Sequence, residues 1–343
     1  MDCRIGFIIN GLTMDLTITI ASYNSCQITR QALESIYRET RGIDYEVIVV
    51  DNASSDGSAD MIASEFPWVR LIRSDRNLGF AAAHNEALAQ SRGRFLLVLN
   101  SDVLFLDNLA GKMIGQFHEA RTDVGVIGPR ILNPDGSLAP SSRRRIFYSR
   151  PLVALSAVNQ SFPFGRLLPM DQVRRYFGRL LGRVHDNFNP PAAAQEVEWI
   201  DGMCMMFRRE VLEQTGLFDE QYYFDYENAD MLIRVRDCGW RILFDPAISI
   251  IHLGGYSRRK VSRIIIESHR GQLIYFAKYR PDCLPMLRRL HLILFWLKIK
   301  LLQGLRPNRR RETIAILKET RKLIAEFDPH SVQGRKCIPR LGN

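Results

Sequence analysis

Residues 95–99 read Phe-Leu-Leu-Val-Leu, five consecutive large apolar residues that follow Gly93 closely and stop at Asn100-Ser101-Asp102. A run this short with no polar face fits a strand covered on both sides, the situation of a central strand in a parallel sheet. Open parallel sheets bind ligands at the carboxyl ends of their strands. Asp102 is therefore expected where a ligand would sit. A second run of the same design, residues 47–50, ends in Asp51-Asn52-Ala53-Ser54-Ser55-Asp56-Gly57-Ser58. A single strand-terminal aspartate often only caps the next helix, but two at the ends of similar strands point to a shared site.

Strand and helix signals alternate around these runs. Strands are predicted over 16–21, 45–50, 69–73 and 95–99, and helices over 26–38, 58–66 and 80–90. Helical segments of roughly 10 to 15 residues between strands indicate βαβ units with right-handed crossovers, so 14–132 reads as a nucleotide-binding half. Residues 1–13 are expected to add little to the fold, with Met14 as the native start. From 141 to 195 the character changes: nine arginines (Arg143, Arg144, Arg145, Arg150, Arg166, Arg174, Arg175, Arg179 and Arg183) stand against two acids, Asp171 and Asp186. With its prolines, this segment reads as a mobile basic insertion on a rigid scaffold. Order is expected to return over 196–260, with a helix near 230–237 and a strand near 241–244. The carboxyl third is predicted helical over 262–279, 286–302 and 311–327.

A hydrophobic content of 46% with 24% charged residues excludes an intrinsically disordered chain. The formal charge of +10 implies an anionic partner without naming it. Six scattered cysteines, with no Cys-x-x-Cys pair, fit a reduced cytosolic protein without a zinc site. The stretch 286–305 is strongly apolar and contains Trp296, but it is interrupted by Arg288, Arg289, Lys298 and Lys300. A bilayer span needs about 20 mainly apolar residues. A basic helix with a tryptophan fits the interface of an anionic membrane instead, with Arg306, Arg309, Arg310 and Arg311 adding charge; a core helix with a basic edge is the alternative.

Asn100-Ser101-Asp102 resembles an Asn-x-Asp form of the Asp-x-Asp signature of GT-A glycosyltransferases. In order along the chain, Ser22-Tyr23-Asn24, residues 49–58, Asn77-Leu78-Gly79 through His84-Asn85, Trp199-Ile200-Asp201-Gly202, Gly216-Leu217-Phe218-Asp219-Glu220 and His252-Leu253-Gly254-Gly255-Tyr256-Ser257 resemble the rhamnosyltransferase-like branch of family 2. The resemblance covers Leu16 to about Arg280. It implies an α/β fold of the GT-A, Rossmann-like kind, with a mostly parallel central sheet flanked by helices, here followed by a helical basic extension over 281–343.

The resemblance also implies an inverting enzyme that moves a deoxyhexose such as L-rhamnose from a dTDP- or UDP-sugar to a glycan acceptor, lipid-linked, in cell-envelope polysaccharide synthesis. Such an enzyme would be cytoplasmic, peripheral to the inner face of the membrane. Donor contacts would come from Ala21, Tyr23, Asn24, Asp51, Asn52, Asn77, Gly79, Asn85, Asn100 and Ser101, with Asp51 accepting from the pyrimidine N–H. Asp102, joined by His252, would bind Mg²⁺ or Mn²⁺, hard cations that prefer carboxylate and phosphate oxygens. Trp199, Asp201 and Gly202 would line the acceptor side. The family's general base is usually the second acid of a Glu-Asp pair, which here reads Glu227-Asn228. An amide cannot take that proton. Glu227 ranks first as the substitute, then Asp225, with Asp230 better suited to starting a helix.

Other classes fit less well. A nucleotidyltransferase would carry a Gly-rich basic loop after its first strand, unlike Ser22-Tyr23-Asn24-Ser25. A nucleic-acid-binding protein explains the arginines but not aspartates gathered at strand ends, so no nucleic-acid partner is expected. A catalytically weak donor-binding homologue is the remaining alternative.

Overall fold

The computed structural model describes residues 14–139, 141–143, 191–254, 262–304 and 311–334. The 1–13 extension, the arginines from Arg144 to Arg183, Tyr256, Ser257 and Arg306 to Arg310 lie outside the described residues. In chain order the first half runs β1 (Met14–Ser22), α1 (Cys26–Glu39), β2 (Tyr45–Asp51), α2 (Ser58–Glu65), β3 (Val69–Arg73), α3 (Gly79–Leu88) and β4 (Gly93–Asn100). It continues through β5 (Val103–Phe105), α4 (Leu109–Glu119) and β6 (Val124–Leu132). The second half holds β7 (Ser142–Arg143), β8 (Gln195–Val197), β9 (Trp199–Ile200), β10 (Cys204–Arg208), α5 (Arg209–Thr215), α6 (Glu227–Asp237) and β11 (Arg241–His252). Three helices close the order: α7 (Ser262–Tyr279), α8 (Leu284–Gly304) and α9 (Arg311–Glu326).

Among the described residues the main sheet runs β3-β2-β1-β4-β10-β6-β11-β5, with β8 also beside β11. β3, β2, β1 and β4 are parallel. β10 then enters antiparallel to both β4 and β6, and β11 runs parallel to β6 but antiparallel to β5 and β8. The sheet is thus mixed, with its parallel half formed by β3, β2, β1 and β4.

The apolar run of β4 has cover on both faces, and alternation assigns it: Phe95, Leu97 and Leu99 join the core cluster that includes Leu33 of α1 and Met113 of α4, while Leu96 and Val98 join the opposite cluster with Leu212 of α5 and Met231 of α6. Side chains two apart share a face, so one uninterrupted run fills two cores. At about 1.5–3 kcal/mol for each large apolar side chain fully buried, β4 is a main contributor to the layering that fixes where its end points.

The C-terminal helices form a third cluster, in which Leu287, Phe295 and Ile299 of α8 pack with Leu273 of α7 and Leu317 and Ile324 of α9. Among the described residues no helix is long and apolar enough to cross a membrane. Cys26, Cys204 and Cys283 are free thiols, while Cys238 is disulfide-bonded. That bond departs from the reduced set expected from the spacing, because spacing says nothing about which cysteines the fold brings together.

Candidate active site

Strand register builds the floor of the site. Val50, Ala21 and Asn100 form one row across β2, β1 and β4, and Asp51 pairs with Ser22 in the next. With neighbouring strands about 4.8 Å apart, Asp51 and Asn100 stand roughly 10 Å from each other at the same end of the sheet. Asp51 is 3% exposed. Its Oδ2 accepts from the Ser54 N–H at 3.0 Å, while its buried Oδ1 has no partner among the described residues. A buried carboxylate oxygen left without a donor is costly, and a ligand N–H would satisfy it.

The turns around this floor are tied together by side chains. Asn24, in the left-handed region at φ 48°, accepts from the Ser55 N–H at 2.8 Å, and Asp56 accepts from the Cys26 N–H at 2.9 Å, locking the β1 turn to the β2 turn. Asn52 donates to the Gly79 carbonyl and accepts from the Leu78 N–H, and Asn77 accepts from the Gly79 N–H at 2.9 Å. Gly79 itself sits at φ +82°, and a Cβ there would fall 2.3 Å from the Tyr223 carbonyl oxygen. Only glycine meets both conditions. Tyr23 is half-buried beside these turns. A hydroxyl cluster of Ser22, Ser25 and Thr29, reaching Ser101, lies at the same strand ends; the sequence reading singled out only Ser101, although Ser22 and Ser25 flank the Tyr23-Asn24 block.

Asp102 and His252 meet across 150 residues of sequence. Val103 pairs with His252 between β5 and β11, and the Leu253 N–H donates to the Asp102 carbonyl at 2.9 Å. This register brings His252 Nε2 within 3.2 Å of Asp102 Oδ2, with both side chains still partly exposed. One carboxylate and one imidazole suit a divalent cation that takes its other ligands from phosphate and water. Among the described residues no group of three or more His, Cys, Asp or Glu could form a closed metal site, so the pair fits an open site.

Opposite the floor, the Asn100 N–H donates to the Met203 carbonyl, and Asp201 accepts from the Met203 N–H at 3.1 Å. A Cβ at Gly202 would lie 3.1 Å from the Asn228 Cβ and Nδ2, so residue 228 packs directly on this turn. Trp199, half-buried, packs against two of the cores. Asp225 and Tyr226, at φ 63° and 70°, are two consecutive non-glycine residues in the left-handed region, a strained entry to α6 of the kind that clusters at functional sites. Asp225 Oδ2 accepts from Ser268 Oγ at 2.6 Å. Glu227 is the first residue of α6 and is 7% exposed.

Two expected site residues are engaged in contacts within the fold. Asp230 is 1% exposed and accepts from Arg234 at 2.8 Å, Lys278 at 3.0 Å and Tyr279 at 2.9 Å. Burial alone would raise its pKa, but Arg234 and Lys278 overcome it and hold the carboxyl below the usual range. A carboxylate so committed is a poor proton acceptor, which corrects its place among the base candidates. Asn85, expected at the donor, instead donates to the Phe218 carbonyl and Glu220 and accepts from the Phe218 N–H. Its amide joins α3 to the 216–220 block.

Comparison with known proteins adds an independent line. The sequence profile described as Glycosyl transferase family 2 matches residues 17–216. An N-acetylglucosaminyl-diphospho-decaprenol L-rhamnosyltransferase of Mycobacterium tuberculosis is 26% identical over 244 residues, 67% of this chain and 74% of that protein. The succinoglycan biosynthesis protein ExoO of Rhizobium meliloti is 34% identical over 262 residues, 76% of this chain and 66% of that protein. Among solved structures, a mannosyltransferase of Pyrobaculum calidifontis in complex with GDP-Man and Mn²⁺ superposes with a TM-score of 0.50 at 16% identity, covering 91% of this chain and 87% of that one. The S. aureus TarS 1-349 fragment in complex with UDP gives 0.51 at 14% identity, with 90% and 88% covered.

Proposed function

Since the chain belongs to glycosyl transferase family 2 and has the GT-A fold, we propose that it is an inverting, divalent-cation-dependent transferase moving a deoxyhexose from a pyrimidine nucleotide sugar to a lipid-linked glycan. The observation that carries this reading is the approach of Asp102 and His252 to 3.2 Å at the sheet end that also holds the buried, partnerless Asp51 Oδ1. Asp51 would accept from the pyrimidine N–H, and Tyr23, Asn24, Asn52 and Asn77 would shape the turns around base, ribose and diphosphate. Asp102 and His252 are the residues that would hold Mg²⁺ or Mn²⁺, and the ion when bound supplies charge compensation for the departing diphosphate.

Glu227 would take the proton from the acceptor hydroxyl as it attacks the anomeric carbon from the face opposite the diphosphate. It is favoured over Asp225, whose Oδ2 is engaged by Ser268, and over Asp230, which the ion network holds. The Trp199, Asp201 and Gly202 turn would receive the acceptor; an aromatic ring there suits the C–H face of a sugar. The decaprenol-linked diphosphate for which the rhamnosyltransferase relative is named supports a lipid-linked acceptor. A stripe of Ile293, Trp296, Leu297 and Leu301, each 46–56% exposed on α8, supports a peripheral site on the inner face of an anionic membrane.

Thermal-shift titration with a panel of nucleotide sugars and Mn²⁺ tests the donor. A ligand at 100 times its Kd stabilises by about 2.7 kcal/mol, so dTDP- or UDP-sugars should raise Tm clearly and purine nucleotide sugars should not. Glu227→Gln should leave that shift in place while lowering turnover by about a hundredfold or more. Stabilisation by no pyrimidine nucleotide sugar would overturn the reading, and full activity of the Gln variant would move the base to Asp225.

A further inference from the structure

α8 and α9 run antiparallel: Arg288, early in α8, donates to the Ile324 and Ala325 carbonyls late in α9. Beside this contact the two helices line a cavity of about 600 Å³. Leu292, Trp296 and Ile299 give it an apolar wall, and Lys300, Lys318, Arg321 and Lys322 line it with cations. Among the described residues none of these four has a carboxylate within salt-bridge distance. Glu319 and Glu326 of α9 stand three and four residues from Lys322, yet neither pairs with it. Four cations gathered without an ion-pair partner repel one another, and that repulsion is relieved by an anion with several acceptor oxygens.

The rim of the cavity says which anion. Trp296 lines it and also belongs to the exposed apolar stripe with Ile293, Leu297 and Leu301. Tryptophan favours the boundary between headgroups and acyl chains. The cations therefore stand at headgroup level when the stripe lies against a bilayer. We propose that the α8–α9 cavity is a binding site for an anionic phospholipid: the phosphate group sits among Lys300, Lys318, Arg321 and Lys322, and the first acyl carbons lie along Leu292, Trp296 and Ile299. The inference rests on the reading that α8 is membrane-bound and adds to it a specific lipid contact. It also gives part of the +10 charge a role separate from the donor site.

Flotation of the full chain with phosphatidylcholine vesicles, with and without phosphatidylglycerol, tests it. Each basic residue near an anionic surface contributes about fivefold in affinity, so the triple variant Lys318→Gln/Arg321→Gln/Lys322→Gln should bind phosphatidylglycerol vesicles about a hundredfold more weakly. A control that removes three exposed cations elsewhere, Arg38→Gln/Arg41→Gln/Lys112→Gln, should stay within about threefold of the parent. Both triples should keep the nucleotide-sugar thermal shift, which shows them folded. Equal losses in the two triples would reduce the effect to bulk charge and overturn the site. Displacement from vesicles by millimolar inorganic phosphate would make the occupant a soluble phosphate and overturn the lipid. If Leu297→Ser/Leu301→Ser detaches the protein and the cation triple does not, membrane contact stands and the lipid site falls. A parent chain that ignores both vesicle types overturns both.

Discussion

At the ends of β2, β1 and β4 the polar side chains are set by strand register, whereas across the site Asp219 and Asp230 are held by Lys278, reaching back over 59 and 48 residues of chain. In the first region parallel strand register sets the row and hydrogen bonds between adjacent turns hold it. In the second, α7 must dock before the 216–230 segment has a defined shape, because the Lys278 ammonium is what neutralises two buried carboxylates. The floor can thus survive damage to the acid segment, while the reverse dependence runs through α7. Separate perturbation of the two regions should give separate phenotypes.

The largest effect is expected on the floor. Asp102→Ala should lower transfer by roughly a thousandfold, the several kcal/mol a metal supplies at a leaving group, with Tm nearly unchanged because the side chain is partly exposed. A variant that keeps Mn²⁺-dependent turnover would remove Asp102 from the site. In the other region the order reverses. Lys278→Ala leaves Asp219 and Asp230 buried near each other with only Arg234 as counter-charge, and breaking a buried pair costs about 3–5 kcal/mol. Tm should fall sharply, and chemical denaturation of the variant with unchanged stability would show the network to be dispensable. Restoration of Tm by nucleotide sugar should be partial at most, since the proposed donor contacts lie on the floor.

The contrast also explains what the sequence disclosed. The strand at 95–99 was legible because burial on both faces writes itself as an unbroken apolar run. The direction of β10 was not legible: Cys-Met-Met-Phe-Arg reads the same whether it pairs parallel or antiparallel, and only its placement between β4 and β6 decides. The start of α6 was expected near 230, yet the helix begins at Glu227, because the turn that sets it uses positive φ at Asp225 and Tyr226 without a glycine to announce it. Asp230 looked like a candidate base because its partners Lys278 and Tyr279 are remote in sequence. The link from Asn85 to Phe218 was hidden for the same reason, the two lying 133 residues apart.

Two buried histidines, one in each region, allow a finer comparison. His84 of α3 sits against Thr19 of the floor, and His291 of α8 hydrogen-bonds Gln272 of α7. Burial pushes the pKa of each down to about 3 from 6.5, with His269 adding to the effect at His291. Both are neutral in the fold but protonate in the unfolded chain below about 6.5. The unfolded state then binds more protons, so stability falls as pH drops from about 6.5 towards about 3, by up to about 1.4 kcal/mol per pH unit for each histidine. Denaturant melts across that range should show this slope, and His84→Gln should remove one histidine's share while leaving the share of His291. A slope unchanged by the substitution would mean that His84 protonates within the fold.

The smallest expected effect bears on the base. Asn228→Asp restores a carboxylate where the family's Glu-Asp pair has one, at a residue that packs on Gly202 and starts a helix whose N-terminus favours negative charge. The fold should tolerate it with a change in Tm of a degree or two. If Glu227 already accepts the proton, a second acid beside it adds little and turnover should stay within about threefold; the new charge would chiefly raise the pKa of its neighbour and move the acid limb of the pH–rate profile upward. A rise of a hundredfold would instead show that position 228 faces the acceptor hydroxyl and that the natural asparagine leaves the acid segment without its base. In that case the floor binds donor fully while the opposite region limits the reaction, and the difference between the two regions extends from how they are built to how much each contributes to the rate.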